Sequence, residues 1–252
     1  MAWIESETEH LHCRHSSAQQ QDAAKLLAML ERLRERISKV LPDQPELFTV
    51  VLHDTPPSLA MSNPAMALRW RAAAPTSRRY VTGWSGAREM HVLSPRALRA
   101  RADGTTGSFE MLRLTPASLY LKRIIVASNL ELASARAPTK YMLEQRWSWL
   151  LEGCSRWLSG ESEYAREVVR VRVRSGESIT FPPAARDSPV LAPTLIEVLA
   201  RQQGEPAVAK LCTRLPAAGA RAALSRAFDG RALMNIESDW RQYLQELAYP
   251  QH

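Results

Sequence analysis

One segment constrains the fold of this 252-residue chain more than any other. Thr115-Pro116 is a helix-start signal, a capping residue followed by proline at the first helical position. The helix is predicted to run to about Arg136, ahead of Pro138. Its apolar residues Leu119, Leu121, Ile124, Ile125, Val126, Leu130 and Leu132 point in nearly all directions around the axis. A helix that is apolar all round has to be central and buried. A second helix is predicted from about Met142 to Leu158, with Leu143, Trp147, Leu150, Cys154 and Trp157 on one stripe. Glu152 falls on the opposite side of that helix, so it is not expected to point into the same core.

The chain before these helices is mixed. His10 to His15 alternates like a strand, with Leu11 and Cys13 inward. Ser16 or Ser17 can cap a helix from about Gln19 to Val40, which Pro42 ends. Phe48 to Leu52 reads as a strand. Residues 54 to 77 read as a loop with one short helical piece. Tyr80 to Trp84 and Met90 to Leu93 read as two strands joined by a turn at Gly86, and Ser94-Pro95 closes the second. The chain after the two helices is simpler. Val168 to Val173 alternates with arginines and reads as a strand with one wet face. Residues 175 to 193 read as a proline-rich loop. Helical patterns then cover roughly 194–203, 207–215, 218–228 and 236–247. The expected fold is α+β, with an N-terminal part (1–138) of mixed strands, a long helix and the central helix. A mostly helical part (139–252) comes after it.

Composition excludes several classes. A hydrophobic fraction of 45% and a charged fraction of 23% rule out wholesale disorder. The longest apolar runs are about five residues, whereas a membrane-spanning helix needs roughly 20. The acidic start MAWIESETEH lacks a secretory signal's basic and apolar blocks, so a cytoplasmic location is expected. Three widely spaced cysteines, Cys13, Cys154 and Cys212, fit free thiols in a reducing compartment. The net charge of +7 is concentrated between Pro64 and Arg123, which holds eleven basic and three acidic residues. Such a stretch can attract anionic partners, but no nucleic-acid motif accompanies it. The expectation is solvated arginines rather than a nucleic-acid site.

The chemistry-bearing patterns are sparse. His10, His12, Cys13 and His15 are close enough in sequence to suggest metal ligands, yet in a strand His10 and His12 point away from Cys13. Gly83-Trp84-Ser85 is only the first half of a nucleophile elbow, because Ala87 stands where the second glycine is needed. Ser85 and His91 share the expected hairpin, with no acid brought to them. There is no phosphate loop and no G-x-G-x-x-G.

The segments Asn129-Leu-Glu-Leu-Ala-Ser-Ala-Arg136 and Trp149-Leu-Leu-Glu-Gly-Cys-Ser-Arg-Trp-Leu158 carry a resemblance. The second resembles the W-L-x-E-G segment of gluzincin-type zinc metallopeptidases, the peptidase MA-like group. In that family a preceding helix carries H-E-x-x-H, and the glutamate of W-L-x-E-G is the third zinc ligand. The order of elements is similar over nearly the whole chain, including a late tryptophan helix, here Asp239-Trp240-Arg241. The resemblance implies a zincin-like fold, with Leu130-Glu131-Leu132-Ala133-Ser134 in the place of H-E-x-x-H. It implies Glu131 at the general-base position and Glu152 at the ligand position, with Trp149 beside the former cleft. Leu130 and Ser134 then replace both ligand histidines, so no metal is expected to bind.

Each survivor also has a plainer reading. Glu152 is four residues before Arg156 and can form a helix-surface ion pair. Glu131, on an apolar helix, is expected to reach a cleft, an arginine or a backbone donor. Cys154 reads as a small core residue, and Trp147, Trp149 and Trp157 as core or cleft wall. The leading expectation is a non-catalytic, metallopeptidase-like protein whose cleft binds a peptide or protein. One alternative is a hydrolase that holds zinc or another metal at an atypical site using Glu131 and Glu152. A second alternative is a nucleic-acid-associated protein using residues 64–123.

Overall fold

The computed structural model describes residues 3–136, 139–213, 215 and 219–249. The fold is α+β. A five-stranded mixed sheet comes from the N-terminal part, and helices come after it.

The sheet is built from β1 (Ile4–Glu7), β2 (Leu11–His15), β3 (Phe48–His53), β4 (Gly83–Ser85) and β5 (Glu89–Leu93), in the order β1-β2-β3-β5-β4. The middle strands β2, β3 and β5 are parallel, and the outer strands β1 and β4 are antiparallel to their neighbours. Parallel neighbours need crossovers. The first crossover is α1 (Gln20–Ile37), whose Leu26, Leu27, Leu30 and Leu33 are buried in the core. The second carries three short helices, α2 (Pro56–Ser62), α3 (Ala65–Ala72) and α4 (Pro75–Arg78), and then β4. The largely irregular loop expected over 54–77 is thus mostly helical. The prolines start helices instead of preventing them: Thr55 accepts from the Ser58 amide ahead of Pro56, and Pro75 stands at the start of α4.

Beyond the sheet come α5 (Pro95–Arg101), α6 (Ser108–Arg113), α7 (Thr115–Ala127), α8 (Leu130–Ser134), α9 (Thr139–Arg146) and α10 (Ser148–Ser159). The chain ends in α11 (Arg166–Arg174), α12 (Ser188–Gln203), α13 (Glu205–Thr213), α14 (Ala220–Ala227) and α15 (Leu233–Ala248). Helix α7 is the expected central helix, buried from Thr115 through Leu121 and again at Ile124, Ile125 and Val126. One continuous core of buried side chains runs from Leu11 on β2 to Leu244 on α15, so residues 1–138 and 139–252 share it. No helix among the described residues is long and apolar enough to cross a membrane.

Three further sequence expectations are corrected. The helix from Thr115 stops at Ala127 instead of running to about Arg136. The side-chain amide of buried Asn129 donates to Ile125 O and Cys212 O, and its oxygen accepts from the Leu215 amide. Those bonds divert the chain and leave α8 as a separate short helix. The helix expected over 142–158 is likewise two helices, meeting at Trp147. Finally, 168–173 is helical, not a strand. Its buried positions are Val168, Val169 and Arg172, a helical stripe that is visible only if one arginine is counted as inward. Arg172 does turn inward, donating from Nε and Nη2 to the two oxygens of Asp187 at 2.8 and 3.1 Å.

Two glycines set how closely these elements approach. A Cβ on Gly83 would lie 2.6 Å from Leu119 Cδ1, so glycine lets β4 rest on α7. A Cβ on Gly153 would lie 2.9 Å from Ile196 Cγ1 and 3.0 Å from Ala192 O, so glycine lets α10 pack tightly on α12.

Candidate functional site

Glu152 sits where α7, α10 and β4 meet. Its Oε1 accepts from Lys122 Nζ at 2.7 Å, across from α7. Its Oε2 accepts from Arg156 Nε at 2.9 Å, the i,i+4 pair visible in the sequence. Arg156 is buried and satisfied on all sides. Its Nη1 donates to Glu161 and its Nη2 to Tyr80 O at 3.1 Å. Two cations and two carboxylates thus form one compact cluster. Burial pushes the Glu152 carboxyl up, but the Lys122 and Arg156 cations pull it further down, so it titrates well below the usual carboxylate range. Burial pushes Glu161 above its ordinary value, with Arg156 pulling against that.

A cleft of about 90 Å³ opens over this cluster. Thr115, Leu119 and Lys122 of α7 form its floor together with Ser148, Glu152 and Arg156 of α10. Val81, Thr82 and Gly83, leading into β4, make one wall. Thr82 and Thr115 are pinned together by a hydroxyl contact of 3.1 Å. Arg69 of α3 and Tyr141, Glu144 and Gln145 of α9 stand at its mouth. The lining cations Arg69, Lys122, Arg156 and Arg186 are each paired with a carboxylate. The cleft is therefore polar but electrically balanced.

β4 is a terminal strand of the sheet. Its register pairs Gly83 with Val92, Trp84 with His91 and Ser85 with Met90. The bonds Leu93 N to Thr82 O and Gly86 N to Glu89 O mark the hydrogen-bonded pairs. Gly83 and Ser85 alternate with those pairs, so their N–H and C=O groups point away from β5, along an edge that continues into the cleft wall.

The structure separates the two glutamates singled out in the sequence. Glu131 is exposed on α8, and among the described residues it makes no ion pair or side-chain hydrogen bond. The expectation that it reaches a cleft, an arginine or a backbone donor is therefore corrected: the break at Asn129 takes it off the buried helix. Leu130 is 82% exposed, and Ser134 Oγ bonds back to Leu130 O within α8. Neither faces Glu152 in the cleft. Trp149 is buried in the core and does not line the cleft. Trp147 is buried as well, and Trp157 donates to Glu197 at 2.8 Å. Cys154 and Cys212 are buried and free. Lys122 is the site residue that sequence reasoning missed. In the sequence it is one cation of a basic stretch, yet it lies on the most buried helix, where an ammonium needs a partner.

These residues do not fit a metal ion. A metal needs lone pairs, whereas both Glu152 oxygens already accept from cations and an ammonium has no lone pair to give. No group of three metal-binding side chains gathers among the described residues. On β2, Cys13 is buried, its thiol pushed up to about 12 by burial, while His12 projects from the other face. His15 is buried and held by Ser6 and Ser16 O.

A second cluster, unforeseen in the sequence, lies on the sheet's other face. His53 Nε2 and His91 Nδ1 are 2.8 Å apart, and Trp84 lies flat against His91 with ring centroids 4.4 Å apart. Burial and the neighbouring His91 lower His53 to about 4, and burial lowers His91 as well.

The basic stretch is largely consumed by the fold. Arg79 pairs with Asp103 at 3.2 Å, and Arg101 donates to the carbonyls of Arg78 and Arg79. Arg123 donates to Ala87 O, and Arg99 lies over the Phe109 ring.

Comparison with known proteins yields no match: no family model, no curated protein and no solved structure is similar to this chain.

Proposed function

We propose that this chain is a zincin-like scaffold without hydrolytic chemistry, and that its cleft binds an extended, uncharged peptide segment of a partner protein. The observation that carries this is the ion pair of Lys122 with Glu152, at the floor of a cleft walled by an edge strand. Edge strands, then a central helix, then a helix carrying a glutamate is the order of elements the resemblance implies, and it supports this reading. The register differs from that expected. The α7 residue that meets Glu152 is Lys122, so the helix facing this carboxylate is α7 rather than Leu130–Ser134. Leu119, which lines the cleft on the same helix, has no group that can take a proton. The ammonium of Lys122 supplies at Glu152 the positive charge that a metal would otherwise bring, but it polarises no water for attack.

Peptide binding is supported by the edge of β4, which pairs with no further strand among the described residues. Outward N–H and C=O groups at Gly83 and Ser85 can add one strand to the sheet, which is how exposed edges recognise peptides. The paired charges of the cleft favour neutral side chains, since a charged one would enter without a counterion.

The test is selection of binders from a display library of random peptides, followed by mass spectrometry of the bound peptides. Binders are expected, enriched in uncharged residues and recovered intact. Ser85→Pro removes an amide that points away from β5, so it should abolish binding while leaving the fold in place. Cleavage of the bound peptides, or binding unaffected by Ser85→Pro, would overturn the proposal.

A further inference from the structure

We propose that α9 is a hinged lid over the cleft, latched to α3 by the Arg69–Glu144 ion pair. The inference rests on the cleft's geometry and is independent of what the cleft binds. Three observations carry it. First, no residue of α9 is fully buried, Met142 is 69% exposed, and Leu143 is its one apolar side chain packed, in part, against the core, so apolar packing holds this helix down only weakly. Second, α9 and α10 meet at one residue, Trp147, which has non-helical backbone angles and a fully buried side chain. That is a pivot fixed in the core. Third, Arg69 Nη2 reaches Glu144 Oε2 at 3.0 Å across the cleft mouth, with both side chains only partly exposed. The α3 end of the latch is fixed, because Trp70 Nε1 donates to Val81 O at 2.7 Å and ties α3 to the chain entering β4. The freer half is α9, whose Tyr141, Glu144 and Gln145 cover Lys122 and Glu152. Rotation about Trp147 with loss of the latch would uncover the floor of the cleft.

Lys122 is the reporter. Its side chain is 15% exposed beneath the lid, so acylation of its amine measures opening. Full-length chain is treated with an N-hydroxysuccinimide acetate and digested, and the rate at Lys122 is read against exposed Lys25 on α1. Loss of one partly buried ion pair should raise the Lys122 rate about fivefold in Glu144→Gln and again in Arg69→Gln. The two variants change the local charge in opposite senses, so a purely electrostatic effect on the amine would move them apart. The exchanged pair Arg69→Glu with Glu144→Arg should return the rate toward that of the natural chain. Unchanged rates in both single variants would overturn the lid. So would rates that rise equally at Lys122 and Lys25, which mark global unfolding. Failure here leaves peptide binding standing, because Ser85→Pro tests that separately.

Discussion

Helices α9 and α10 are consecutive, flank the same cleft and are joined by the single residue Trp147, yet they are held by different physics. α10 has nine buried residues, packs on α7 and α12, and carries a four-membered ion cluster. α9 has none buried and is tied across the cleft mouth by one ion pair. A cleft with one immovable wall and one loosely held wall can keep its chemistry fixed while its access varies. The difference lies in packing rather than in helix propensity, because short helices take most of their stability from an apolar face.

The contrast is broken most severely at Arg156. Arg156→Met removes the guanidinium that serves both Glu152 and Glu161, strands Glu161 in the interior and leaves Glu152 with Lys122 alone. The expected loss is about 3–5 kcal/mol in urea unfolding. A loss below about 1 kcal/mol would mean that the cluster does not hold α10.

Acid should act on the same wall. The folded Glu152 carboxyl titrates well below its ordinary value, so the unfolded chain binds the proton more readily. Its contribution is fully present above the ordinary value of 4.5 and is lost as pH falls below it. Unfolding free energy measured from pH 6 to pH 3 should fall more steeply in the natural chain than in Glu152→Gln, which has no carboxyl to titrate. Parallel curves would mean that the cluster does not stabilise the fold through this carboxylate.

Gly153→Ala tests the packing of α10 on α12. A new Cβ meets the Ala192 carbonyl at 3.0 Å, and backbone cannot move aside cheaply. A loss of about 1–3 kcal/mol is expected, despite alanine's better helix propensity. The smallest effect should come from α9. Met142→Ala removes an exposed side chain and should change stability by less than about 0.5 kcal/mol. A large loss there would mean that α9 is packed as firmly as its neighbour and would undercut the lid.

Much of the fold is legible in the residues, and the failures share a cause. The leucine stripe of the first helix, the buried central helix after Thr115-Pro116 and the inward Leu11 and Cys13 all follow from periodicity. The helix over 166–174 does not, because Arg172 faces inward only once Asp187, fifteen residues later, is beside it. The end of α7 depends on Asn129 finding Cys212 and Leu215, partners that no local window contains. The Glu152–Arg156 pair is readable from its i,i+4 spacing, but Lys122, thirty residues before Glu152, is not. The helix that meets Glu152 is therefore α7, not the segment Leu130–Ser134 that the motif pointed to.

The central claim is that Glu152 is engaged by side-chain cations and not by a metal. The most direct test is the zinc content of untagged chain purified without chelator, with Glu152→Gln beside it. Well under one zinc per chain is expected in both. One zinc per natural chain, lost in Glu152→Gln, would contradict the claim and restore a metal-dependent site at this carboxylate.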